Sequence, residues 1–119
     1  FGFSMENSIA DYWITEKVFF MYRNDVIPIY RGSVKNREIL KNYGVNTNAF
    51  VDASNMTSDE LVSYLNELLT EKGKKKLYDI YRQPLIPDRA LFNQRIRDNY
   101  KKVIDYLEKQ KNHKKIVLF

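Results

Sequence analysis

"VIPIYRG", Val26–Gly32, decides how this chain folds. Five mostly apolar residues run up to an Arg-Gly pair with no polar residue among them, which is the pattern of a parallel strand buried on both faces. Pro28 constrains that reading, because proline has no N–H to give to a ladder, and it is expected at the strand's start. Upstream, "FGFSM" (Phe1–Met5) alternates aromatic and small residues and reads as a strand already in progress, so the chain is expected to be cut from something longer. Between the two strands, Thr15 is the expected N-cap of a helix reaching Tyr22 or Arg23, with Val18, Phe19, Met21 and Tyr22 turned inward.

Downstream, "NREILKNYG" (Asn36–Gly44) reads as a short helix stopped by Gly44 at the C′ position. "AFVDA" (Ala49–Ala53) is the next strand. Thr57 and Glu60 fit a capping box, opening a helix with Leu61, Leu65, Leu68 and Leu69 on one stripe. Lys72-Gly73-Lys74 breaks it, and a further helical segment runs to about Arg82. After Pro84 and Pro87, an amphipathic helix is expected from about Asp88 to Lys109. Its apolar seam is Phe92, Ile96, Tyr100, Val103 and Leu107, expected to pack on its own domain. Strand and helix alternate as in a parallel α/β sheet. The expected organisation is an α/β domain over residues 1–83, incomplete at its N-terminus, and a basic helical extension over 84–119.

Composition narrows the chemistry. The 119 residues suffice for one small domain, and at 44% hydrophobic they can bury a core. There is no cysteine and one histidine, His113, so disulfides, thiolate chemistry and a structural zinc site have almost no residues to draw on. No apolar run approaches the roughly 20 residues that span a bilayer. The net charge of +5 is unevenly spread. Residues 1–71 carry 6 basic and 10 acidic side chains, net −4, and residues 72–119 carry 14 and 5, net +9. A basic C-terminal arm facing an anionic lipid surface or nucleic acid fits that asymmetry, as does a solvated helix face.

The stretch "ENSIADYWITEK" (Glu6–Lys17) occupies the loop at the carboxyl end of the first strand and the start of the helix after it, where ligands of open α/β sheets sit. Helix-start N–H groups and Lys17 favour an anion such as phosphate. Glu16 would repel phosphate and suits the vicinal hydroxyls of a ribose. Asn7 can donate to a phosphate, and Trp13 has a flat face for stacking. On chemistry alone this is a nucleotide site, although a favourable first-turn charge and a solvated lysine would also explain Glu16 and Lys17.

"FSMENS", four residues, "WITEK", an apolar helix, "VIPIYRG", and later "NAFVDASNMTSDELVSYLNEL" resemble the donor-binding half of the α-1,3/4-fucosyltransferases, glycosyltransferase family 10. That family reads approximately L-S-F-E-N-S, four residues, Y-[IV]-T-E-K-L, then V-P-V-V-x-G. The match from Glu6 to Lys17 has no gap, and a weaker likeness continues to about Arg82. Three positions depart, at two places. The family's tyrosine is Trp13 here, with Tyr12 just before it, and its Ala-Gly before the second strand is Asn24-Asp25.

The resemblance implies a Rossmann-like parallel sheet forming the C-terminal half of a GT-B enzyme, which binds GDP-fucose and transfers fucose with inversion to a glycan hydroxyl in α-1,3 or α-1,4 linkage. It implies that Asn7 and Lys17 hold the diphosphate and Glu16 the ribose. Either the ribose contact changes at Trp13 or Tyr12 supplies the missing hydroxyl. The general base is expected in the N-terminal acceptor half, so no catalytic residue is assigned here and this segment alone is expected to be inactive. No cofactor or metal is expected, since the chain has no D-x-D sequence. Peripheral contact of the C-terminal lysines with an anionic membrane would follow for a lipid-linked acceptor. Absence of cysteine favours a bacterial or viral protein, cytoplasmic or membrane-peripheral, over one in the Golgi membrane. The alternatives are a catalytically inactive fold relative serving as an interaction module and a basic nucleic-acid-binding domain. The latter is disfavoured by aromatics at core spacing.

Overall fold

The computed structural model describes residues 1–11 and 14–111, with backbone alone at 111. It comprises two units, Phe1–Pro87 and a second from Asp88 onward. The first holds β1 (Gly2–Met5), α1 (Lys17–Arg23), β2 (Pro28–Arg31), α2 (Asn36–Asn42), β3 (Val51–Asp52), α3 (Ser58–Leu68) and α4 (Lys74–Arg82). The three described strands are parallel in the order β1-β2-β3, with Phe3 beside Ile29 and Ile29 beside Val51. Paired residues of parallel strands share a face. Ile29 and Val51 therefore look toward α3 and α4, where they pack with Ala53, Leu68 and Ile80. Ser4, Tyr30 and Asp52 share the other face, which α1 and α2 cover. There the Ser4 hydroxyl bonds to the Lys17 carbonyl, and Asn36 Nδ2 donates to the Tyr30 hydroxyl. Helices on both faces of a parallel sheet make a small α/β unit compatible with a Rossmann-like fold.

Pro28 does begin β2, where its missing N–H leaves no gap within the strand. The turn before it explains Asn24-Asp25. Asp25 sits at φ 60°, a left-handed conformation that glycine adopts freely and aspartate tolerates better than most. Its carboxylate receives the Tyr81 hydroxyl, fastening α4 to this turn. Gly44 ends α2 at φ 85°, as its position after the helix requires. Thr57 caps α3, accepting the Glu60 N–H at 3.2 Å.

Several expectations shift. Thr15 is not the cap of α1; Glu16 holds that place, with no side-chain cap bond, because the Thr15 hydroxyl is committed to Glu6. At seven residues, α1 is also too short to offer an anion the pull of a helix N-terminus. β3 covers only Val51–Asp52 of the expected five-residue strand. The α3 stripe keeps Leu61, Leu65 and Leu68 against the core, but Leu69 lies past the helix end and is exposed. Residues 84–87 belong with the first unit: Leu85 is buried and its carbonyl accepts the Asn46 N–H at 2.8 Å, while Asn46 Nδ2 reaches the Gln83 and Pro84 oxygens.

In the second unit, α5 spans Arg89–Lys111 and is capped by Asp88, whose carboxylate accepts the Leu91 N–H. Of its apolar seam, Phe92 and Leu107 are partly covered and Ile96, Tyr100 and Val103 are exposed, as are Lys101, Lys102 and Lys109. Lys114, Lys115 and the "IVLF" end lie outside the described residues. No helix among the described residues is long and apolar enough to cross a membrane.

Gly73 shows why α3 and α4 meet where they do. A Cβ there would lie 2.0 Å from the Glu67 carbonyl oxygen and 2.7 Å from the Leu68 Cα, both backbone atoms that cannot swing aside. Gly73→Ala must push α4 off α3 and is expected to lower unfolding stability by roughly 1–3 kcal/mol. Urea melts of the two proteins check it.

Candidate functional site

The loop between β1 and α1 is closed at its base by one carboxylate. Glu6 continues the ladder past Met5, donating its N–H to the Arg31 carbonyl at 2.8 Å, and turns its side chain inward to 5% exposure. One of its oxygens accepts the Thr15 N–H at 3.0 Å and the other the Thr15 hydroxyl at 2.7 Å. Farther along, the Asp11 carboxylate accepts the Ser33 hydroxyl and pairs with Lys35 Nζ at 3.0 Å. Those bonds hold its acid strength above the ordinary, lowering its pKa. The loop is thus fastened to itself through Glu6 and to the β2–α2 connection through Asp11.

Beneath Glu6 lies Tyr30, fully buried, with Phe50 packed edge-on against its ring and Asn36 Nδ2 on its hydroxyl. Gly32 makes room for this phenol: a Cβ would meet the Tyr30 hydroxyl at 2.6 Å and Asn36 Nδ2 at 2.9 Å. Its own N–H is held by the Ser54 hydroxyl. Burial raises the Tyr30 pKa to about 12, against the lowering effect of the Asn36 bond, and the Glu6 and Asp52 carboxylates add to the rise.

Glu16 and Lys17 follow the clasped Thr15. Both line an open groove of about 720 Å³ with Phe3, Met5, Phe20 and Met21, along the outer edge of β1. Apolar walls carrying one carboxylate and one ammonium suit a flat ring system bearing hydroxyls and an anionic group. The Lys17 carbonyl is held by the Ser4 hydroxyl at 3.0 Å, so the backbone is fixed on both sides of Glu16. Asn7 is exposed in the same loop but is not among the groove's lining residues. Tyr12 and Trp13 lie outside the described residues. Sequence reasoning passed over Glu6, Asp11 and Ser4, whose partners are distant along the chain and leave no periodic signature.

A second concavity follows the β3 edge, between Arg37, Asp52, Tyr64, Lys76, Asp79 and Gln83. Within it Arg37 pairs with Asp52 at 3.4 Å, and the Lys76 ammonium stands over the Tyr64 ring. Among the described residues, no group of three or more His, Cys, Asp or Glu is placed to hold a metal ion.

Fold and loop together define a parallel α/β domain whose polar loop stands at the carboxyl end of an edge strand. The family model "Glycosyltransferase family 10 (fucosyltransferase) C-term" matches residues 1–118, well past Arg82, where the motif likeness fades. The chain belongs to glycosyltransferase family 10. Comparisons with curated proteins and with solved structures gave no significant match.

Tyr30 provides a pH test of the buried network. A raised phenol pKa means the folded state holds its proton more tightly than the unfolded one, so this contribution is complete below pH 10 and fades as pH rises from 10 toward 12. Tyr30→Phe cannot ionise, and its stability should fall less steeply over that window, as measured by urea melts at stepped pH.

Proposed function

We propose that this chain is the donor-binding part of an inverting fucosyltransferase of GT-B architecture, taking GDP-fucose and delivering fucose to a glycan hydroxyl. The observation that carries the proposal is the placement of Glu16 and Lys17 together in one groove at the carboxyl end of β1, with their backbone held on either side. Family membership supplies the reaction class.

In this reading the Glu16 carboxylate accepts the ribose hydroxyls and Lys17 meets the diphosphate, with Asn7 as a further donor from the loop. Tyr12 and Trp13 would complete the donor contacts. The apolar walls from Phe3, Met5 and Phe20 give the nucleoside a dry surface. As the glycosidic bond breaks, negative charge grows on the departing GDP, and the Lys17 ammonium stabilises it more in the transition state than in the bound donor. The acceptor's proton goes to a base outside this chain.

Titration calorimetry of the intact enzyme with GDP, GDP-fucose and GDP-mannose tests the ligand class, and absence of GDP binding would overturn the proposal. Lys17→Ala should cost roughly 2–4 kcal/mol in activity, falling more on turnover than on donor affinity. Unchanged turnover would remove Lys17 from the site. Glu16→Gln should weaken GDP by about 1–2 kcal/mol. An equal loss with a 2′,3′-dideoxy analogue would show that Glu16 does not hold the ribose.

A further inference from the structure

A buried carboxylate is costly unless its lone pairs are filled. Glu6, 5% exposed, takes the Thr15 N–H on one oxygen and the Thr15 hydroxyl on the other, and its side chain is also hydrogen-bonded with the buried Tyr30. It does not line the groove, so it is not placed to touch a ligand there. Thr15 is equally committed: its hydroxyl donates to Glu6 instead of capping α1, which has no side-chain cap at all. Two residues on, the buried Ser4 hydroxyl holds the Lys17 carbonyl. The Glu16-Lys17 pair is therefore strung between two fixed backbone points, one set by Glu6 and one by β1 itself.

We propose that Glu6 and Thr15 are positioning residues, whose clasp sets the direction from which Glu16 and Lys17 reach into the groove. The consequence is energetic: a loop already held in its binding geometry need not be ordered when a nucleoside diphosphate arrives, and that ordering cost is removed from binding. Charge assistance strengthens both hydrogen bonds to the Glu6 carboxylate. The inference rests on the groove being the donor site.

The test is a double-mutant cycle on the intact enzyme, read as GDP affinity by calorimetry with thermal melts alongside. Thr15→Val keeps the shape and the amide but deletes the hydroxyl donor, and it should weaken GDP binding about tenfold. Thr15→Ser restores the hydroxyl and should return affinity to within about twofold of wild type. In a Lys17→Ala background the same Thr15→Val change should cost less than about threefold, because part of what the clasp positions is gone. An equal loss in both backgrounds, or wild-type affinity in a folded Thr15→Val protein, would overturn the proposal while leaving the donor site standing. If wild type binds no GDP, the donor reading fails and takes this inference with it. Should Thr15→Val not fold, Glu6→Gln keeps length and one acceptor; a loss of about threefold or more that shrinks without Lys17 supports the clasp, and an unchanged affinity overturns it.

Discussion

The two hydrogen bonds from Thr15 to the buried Glu6 carboxylate fix the backbone immediately before Glu16 and Lys17. They close the base of a loop that Asp11 tethers farther along to Ser33 and Lys35, and they do so from the end of a strand whose register is fixed. β1 is tied to β2 from Gly2 through Met5, and the Glu6 N–H extends that pairing to Arg31. The rigidity of the sheet thereby passes to Thr15 through one side chain, and from Thr15 to its neighbours Glu16 and Lys17. Such a carboxylate tolerates burial because it is supported from below by the Tyr30–Asn36 pair and has charge-assisted bonds above.

The same logic explains the small residues nearby. Gly32 leaves the space that the Tyr30 hydroxyl and Asn36 occupy, and Gly2 leaves the space for Met21 on α1. A larger residue at Gly32 would displace the Tyr30–Asn36 pair that lies beneath Glu6, whereas at Gly2 it would meet the packed side chains of Met21 and Val26. The open edge of β1 has a related consequence. Strand order follows chain order without reversal among the described strands, so the groove carrying Glu16 and Lys17 falls at a sheet edge, beside the exposed Phe3.

Much of this was legible in the sequence where a local rule governs. Pro28 at a strand start, Gly44 after a helix and the Thr57–Glu60 cap each follow from what one residue can or cannot do to its own backbone. The spacing from Glu6 to Lys17 carried the family. What stayed hidden depends on partners far apart in the chain. Thr15 has the composition of a helix cap, and nothing local says that a glutamate nine residues earlier will take its hydroxyl. Glu6 and Asp11 drew no reading from the sequence because their donors, Thr15 and Ser33, become neighbours only after the sheet assembles. Leu69 fit a stripe by spacing, but the spacing does not reveal that α3 stops one residue short of it.

In the proposed function, the clasped loop after β1 presents Glu16 and Lys17 to a nucleoside diphosphate. Backbone amide shifts of the isotopically labelled protein during titration with GDP test it most directly. Saturable shifts are expected at Met5, Thr15, Glu16, Lys17 and Phe20, with the β3 edge around Asp52 and Lys76 unmoved. Shifts centred on that β3 edge, or none anywhere at saturating GDP, would contradict it.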